Sequence, residues 1–168
     1  MPARLVVSSP RDLSYERSIA VETAALVYGL STEELELEID PALNHVNPTR
    51  RQVEALRLVE ALAREYSGNH YHLHITGLDI YFDRFNFCFG LASNRSAVVS
   101  TYRLKHPNTK RFVERLRKEV AHEIGHMLGL KHCPNPRCVM FFSNSIVDTD
   151  LKSVEPCPRC RALLRNSR

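Results

Sequence analysis

The sequence predicts an α/β fold, a mixed sheet with helices packed against it, on three grounds. Stretches with strand and helix periodicity alternate through the first half, which points to a largely parallel sheet. One long helical stretch starts at Asn108 or Thr109, runs to about Leu128 and stops at Gly129. Beyond Gly129 the chain carries prolines at 134, 136, 156 and 158, four cysteines, and too little apolar content to form a core unaided.

The elements follow in order. Arg4 to Ser8 reads as a strand, and Ser14 to Tyr28 as a helix with apolar positions Ile19, Ala20, Ala24, Leu26 and Val27 before Gly29. Leu35 to Ile39 alternates as LELEI, the pattern of a half-buried strand. Thr49 is placed to cap a helix whose stripe of Val53, Leu56, Leu58, Val59 and Leu62 runs to about Tyr66. His70 to Phe82 is β-rich and broken by Gly77. Two further strands, Phe85 to Ser93 and Ser96 to Leu104, turn at Asn94-Arg95. After Gly129 the chain reads as irregular. The expected organisation is one domain over residues 1–168: a subdomain 1–129 with the sheet and the long helix, and a subdomain 130–168 stapled by metal.

Bulk properties narrow the function classes. With 168 residues and 43% hydrophobic composition, the chain can bury a core; 25% charged residues and six glycines are ordinary for a globular protein. No stretch reaches the 18 or so unbroken apolar residues of a membrane span. The first apolar run ends at Ser8 with no small-residue cleavage site, so it is read as a strand and not as a signal peptide. The net charge of +4 comes from scattered basic residues, and the clusters at Arg50-Arg51 and from Lys110 to Lys118 read as solvated helix faces. The expectation is a cytoplasmic monomer or weak oligomer with no nucleic-acid and no membrane partner. In such a reducing compartment, Cys133, Cys138, Cys157 and Cys160 suggest a metal site more than a disulfide frame.

The chemistry lies in the run His122-Glu123-Ile124-Gly125-His126-Met127-Leu128-Gly129-Leu130-Lys131-His132. Residues four apart share a helix face, so His122 and His126 can present two imidazoles to one ion. Glu123 sits about 100° further round, beside the metal and not on it. That position suits a general base that takes a proton from a water on the ion and later gives it to a leaving amine. Gly129 can adopt positive φ and turn the chain back, which lets His132 supply a third ligand and leaves the fourth tetrahedral position open. The histidines bind only when neutral, so activity is expected to fall on mild acidification. By composition alone the full pattern would arise about once in ten thousand such chains. Four thiolates, by contrast, leave no open coordination position, so the cysteine site is expected to be structural and to help fix His132.

This run resembles the metzincin clan of zinc peptidases. Its continuation, Cys133, Cys138, Met140 and Cys157-Pro158-Arg159-Cys160, is similar to the archaemetzincin family over roughly the last 50 residues, with FGLAS (Phe89 to Ser93) and VVSTYRL (Val98 to Leu104) adding to the likeness. The resemblance implies a compact zincin: a twisted mixed sheet, flanking helices, a long active-site helix and a zinc-stapled C-terminal part. It implies a zinc-dependent peptidase acting on a peptide or protein substrate, with an aminopeptidase as one form. It implies two zinc ions per chain, one catalytic and one structural, and makes Met140 the methionine of a tight turn beneath the histidines. Two other classes stay open: a zinc-stabilised interaction module without hydrolysis, against which Glu123 argues, and a zinc hydrolase of a non-peptide amide.

Lesser candidates complete the reading. His70, His72 and His74 alternate along one strand and are expected on a solvated sheet face. Cys88 reads as an inert thiol near the core. The strand around Phe87 to Ala92 could border the cleft and pair with an extended peptide. Tyr102 and Arg103 either reach the cleft or end a strand in solvent, and Asp79 and Asp83 receive no role.

Overall fold

The computed structural model describes residues 3–66 and 68–166. The central sheet has the order β2-β1-β5-β8-β7, formed by Ser31–Leu37, Arg4–Pro10, Tyr71–Thr76, Ser96–Ser100 and Gly90–Ser93. The first four strands run parallel, and β7 closes one edge antiparallel to β8. Parallel strands are covered on both faces, and β8 accordingly has all five residues buried. Leu5, Val7, Leu73, Ile75, Ala97 and Val99 face a core shared with α1 (Ser14–Tyr28) and α3 (Thr109–Met127). Val98 faces the other way, onto Leu58, Val59 and Leu62 of α2 (Ala55–Glu65).

Several boundaries differ from the sequence reading, each for a physical reason. The second strand starts at Ser31, before the LELEI alternation, because its ladder to β1 runs from Arg4↔Ser31 to Pro10↔Leu37. An edge strand bonded on one side tolerates polar residues there. The second helix starts at Ala55 and not after Thr49. Val46–Asn47 (β3) and Gln52–Glu54 (β4) pair antiparallel, and β4 also pairs with Ile80–Tyr81 (β6), so sheet pairing overrides the local helix signal. Thr49 instead lies in the connecting turn, where the Asn47 side chain accepts from the amides of Thr49 and Arg50. The strand expected over Phe85 to Ser93 shrinks to β7, and residues 82–87 form a loop anchored by Cys88 N–H to the Ile80 carbonyl at 3.0 Å.

The histidine face of β5 is a correction. His72 and His74 are 1% and 0% exposed, against Tyr66 just past α2 and Asp40 just before the 3-10 turn Pro41–His45. Burial is tolerable because the Ser8 hydroxyl bridges His72 Nε2 at 2.7 Å and His74 Nδ1 at 2.8 Å. His74 Nε2 meets Asp40 at 2.9 Å, and the edge of the Tyr66 ring packs on His72.

The tail is also more regular than expected, with α4 (Ile146–Leu151) and α5 (Pro158–Asn166). A capping box between Ser145 and Asp148 starts α4. Side chains of α3 then hold it: Arg115 makes two 2.8 Å bonds to Asp150, Lys118 reaches the Asp150 carbonyl, and Thr149 donates to Glu119. Six residues are too few to show a period, so these ties were not visible as a pattern. No helix among the described residues is long and apolar enough to cross a membrane.

Candidate metal centre and cleft

α3 opens on Asn108, whose side chain accepts from the Arg111 amide, and buries Leu116, Val120 and Ile124 in the core. It ends in a Schellman turn. The amides of Gly129 and Leu130 bond to the carbonyls of His126 and Gly125, and Gly129 takes φ +98. This reversal carries the Leu130 carbonyl back onto His126, whose Nδ1 lies 2.8 Å from it. His122 Nδ1 is held likewise by the Val139 carbonyl at 2.7 Å.

Carbonyls only accept, so both Nδ1 atoms donate and both Nε2 atoms carry lone pairs in the neutral rings. Those two Nε2 atoms lie 3.0 Å apart. Facing lone pairs at that distance repel unless a cation lies between them. Nitrogens about 2.0–2.1 Å from a tetrahedral zinc sit about 3.3 Å apart, so the pair fits such an ion. His132 adds a third ring, and the ligand atoms of the three all lie within 4.8 Å of one another. Burial, with Lys152 adding to it, holds His122 well below its ordinary protonation range, which keeps that ring neutral and able to ligate.

Glu123 is 4% exposed and borders the same space, and its Oε2 has no partner among the described residues. Burial and the neighbouring Glu119 push its carboxyl well above the usual range, and Lys152 opposes them. β7 can approach this carboxylate because residue 90 is glycine: a Cβ there would meet Glu123 Oε1 at 2.7 Å and the Val98 carbonyl at 2.8 Å. One helical turn earlier, Glu119 accepts from Thr149 at 2.8 Å and pairs with Lys152 at 3.3 Å. The Lys152 side chain is 0% exposed, and its Nζ also reaches the Phe141 carbonyl. A buried lysine is costly unless paired, and here it ties α3 to the segment beneath the histidines.

That segment runs Cys138-Val139-Met140. Met140 is fully buried, its carbonyl accepts from the Cys133 amide at 2.9 Å, and its Sδ occupies the space a Cβ on Gly125 would need. The four tail cysteines gather beside it. Cys133 and Cys157 Sγ are 3.8 Å apart, as are Cys138 and Cys160, and none forms a disulfide. A disulfide needs about 2.05 Å. Thiolates about 2.3 Å from a tetrahedral zinc sit about 3.8 Å apart, which matches. Amides of Met140 and Cys157 donate to Cys138 Sγ, and the Cys160 amide chiefly draws the Cys157 thiol down to about 7.

The histidines and Glu123 open onto a cleft of about 770 Å³. Phe82, Phe85, Phe87, Phe89 and Phe142 line it together with β7, and the Phe142 ring lies 5.1 Å from that of His132.

The model of peptidase family M54 matches residues 37–166 of the chain. The chain belongs to that family. An archaemetzincin of Thermococcus kodakarensis is 54% identical over 101 residues, 55% of this chain and 54% of that protein, so the match spans about half the relative's length. One from Pyrobaculum aerophilum is 48% identical over 114 residues, 67% of this chain and 70% of its own. Among solved structures, the archaemetzincin of Methanopyrus kandleri matches with a TM-score of 0.87 and 32% identity, covering 99% of this chain and 95% of that one. The archaemetzincin of Archaeoglobus fulgidus, complexed with malonate, gives 0.84 and 33% over 95% and 98%.

Within this M54 chain, the sequence-nominated residues land in different places. His122, His126, His132 and Glu123 meet at the cleft, and the four cysteines meet behind it. Cys88, between Phe87 and Phe89, also lines the cleft, and burial and Glu123 raise its thiol pKa. Tyr102 and Arg103 do not line the cleft. Arg103 bonds Asp79 twice at 2.8 Å and stacks on Phe87, so Asp79 has a partner that sequence reasoning missed. Gly90, Glu119 and Lys152 were missed too. The first follows an apolar run without any signal of a close approach, Glu119 is one charged position among many on the long helix, and Lys152 lies in the stretch read as irregular.

Proposed function

We propose that this chain is a zinc-dependent metallopeptidase, with His122, His126 and His132 holding the catalytic zinc and Glu123 as general base. The observation that carries the reading is the pair of Nε2 lone pairs 3.0 Å apart beside a buried carboxylate whose Oε2 has no partner among the described residues. Zinc held there supplies Lewis acidity, polarising a carbonyl and making a water more acidic. Glu123 then accepts the proton of the attacking water and delivers it to the amine that leaves. Burial raises its pKa, and a carboxylate with a raised pKa is the stronger proton acceptor once ionised. The Val139 and Leu130 carbonyls hold the His122 and His126 rings in the ligating tautomer.

Cys133, Cys138, Cys157 and Cys160 hold a second, structural zinc, and Met140 forms the apolar floor under the histidines. In this reading residues 130–168 are a zinc-stapled subdomain on a larger one, 1–129. The substrate is a peptide or protein. The cleft favours internal bonds over amino-terminal ones. Of its two carboxylates, Glu119 is neutralised by Lys152 and Glu123 is the base, so neither remains to hold a terminal amine.

The test measures zinc per chain with hydrolysis of free and N-acetylated peptides, for the wild type and Glu123→Ala. Two zincs, cleavage of both peptide forms, and loss of cleavage in a mutant with unchanged metal content are expected. Two zincs with no turnover across a broad peptide library would replace the peptidase with a binding module.

A further inference from the structure

A second cavity of about 760 Å³ adjoins the cleft and shares Asn86 with it. Its charged lining is Arg50, Arg51 and Arg103 against a single acid, Asp79. Asp79 is already taken by Arg103 and by Gln52 Nε2 at 3.0 Å, so two arginine charges remain uncompensated in the cavity.

Two of these guanidinium groups are fixed in advance. Arg50 lies 3.6 Å over the Tyr81 ring, and its Nη2 donates to the carbonyls of Phe85 and Asn86 while Nε donates to Gln52. Arg103 lies 4.3 Å over the Phe87 ring. Each keeps an Nη1 that no neighbour uses among the described residues. Arg51 has no side-chain partner among the described residues and holds φ +57, a backbone state that a long side chain takes at a cost of about 1 kcal/mol. Pre-positioned guanidiniums with spare donors are what a carboxylate needs.

The loop 85–87 is the partition between the two spaces. Arg50 and Gln52 grip its carbonyls from the arginine side, while Phe85 and Phe87 line the cleft. β7 is a sheet edge, and an extended peptide adds to such an edge better antiparallel than parallel. Antiparallel to Gly90–Ser93, its C-terminal direction leads back past Phe89 toward residues 87–85 and the arginine cavity. At about 3.3 Å per residue, three or four residues of extended chain cover about 10–13 Å.

We propose that this cavity is a subsite for a peptide carboxylate, an acidic side chain or chain end lying C-terminal to the cleaved bond. The proposal rests on the reading of the cleft as a peptide site.

The test uses acetylated, fluorescein-labelled octapeptides that differ only in Glu-Glu or Gln-Gln within the three residues after the cleaved bond. Dissociation constants and kcat/KM are measured separately on the zinc-loaded protein, wild type and Arg51→Glu, with melting curves to confirm folding. The Glu peptide is expected to bind about 5–10-fold more tightly, and salt to erode that preference. In Arg51→Glu the preference falls below about 2-fold, with binding of the Gln peptide unchanged. Equal binding of the two peptides by the wild type overturns the proposal. So does an undiminished preference in Arg51→Glu and in a folded Arg103→Gln, or a preference only for acids before the cleaved bond. Binding of inorganic phosphate with no peptide preference also overturns it. A preference in binding with no cleavage of any peptide supports the subsite and removes the peptidase reading instead.

Discussion

The two candidate metal groups adjoin in sequence, at His132 and Cys133, and are built in opposite ways. The histidine group lies on the rim of a cleft, two of its rings oriented by carbonyls from separate segments, beside a carboxylate whose Oε2 has no partner among the described residues. The cysteine group is enclosed: three of its four residues are buried, and amides donate to its sulfur. The same short stretch of chain thus offers one set of ligands with room for a reactant and another with none. The difference lies in what surrounds the ligands, since three imidazoles or four thiolates could each serve structure alone.

Breaking the closed group should have the largest effect. Cys138→Ala is expected to remove one zinc per chain and about 5 kcal/mol of stability, seen as a fall in Tm of more than 10 °C. Activity should go with it, because His132 and the Met140 segment lose their anchor. Unchanged melting would mean that the cysteine cluster holds nothing.

Breaking the open group should spare the fold. Glu123→Gln should lower kcat by about a thousandfold while zinc content and Tm hold or rise, since a buried carboxylate is removed. A mutant that melts early would point to a structural role for Glu123.

The two crowded glycines sharpen the comparison. Gly90→Ala pushes on the Glu123 carboxylate and on the Val98 backbone, so kcat should drop about tenfold to a hundredfold with little change in bound zinc. Gly125→Ala drives into Met140 and the Tyr28 hydroxyl, so it should cost about 1–3 kcal/mol in denaturant melts. If Gly90→Ala alters stability alone, β7 does not position the base.

The smallest effect per step is acid sensitivity remote from both groups. Burial holds the His72 pKa down to about 3, against an ordinary 6.5, so the folded ring stays neutral where the unfolded one takes a proton. Stability is therefore full above 6.5 and should fall by at most about 1.4 kcal/mol per pH unit from there down to about 3. Asp40, pushed up by burial but held low overall by His74 and Thr76, adds a second loss below its ordinary 3.8. Urea melts of His72→Gln should show a flatter dependence between pH 6 and 4. An unchanged slope would assign the acid loss elsewhere.

Much of the site's inventory was legible because metal ligation depends on few residues at short spacings: a helical repeat of four, a glycine turn and a cysteine pair. The strand–helix alternation likewise announced the sheet. What stayed hidden depends on contacts between distant segments. The apolar stripe beginning at Val53 suggested a helix from its start, yet Val53 pairs with Ile80, 27 positions away in sequence, and that ladder delays the helix to Ala55. Alternating His72 and His74 looked solvated because nothing local announces that Ser8 will meet one nitrogen of His72 or that Ser8 and Asp40 will satisfy both of His74. Lys152 and Glu119 drew no reading at all because burial of an ion pair leaves no periodic trace.

The direct bond between His132 and Cys133 has one more consequence. A ligand triplet gains much of its affinity from the chelate effect, in which each donor arrives with its entropy already spent. Two donors here ride on a helix, but the third hangs on a strand of chain whose next residue belongs to the cysteine cluster. In the proposed zinc-loaded state, an intact cysteine cluster would hold that third donor in place before the ion arrives, and its loss would leave a two-toothed grip in the cleft.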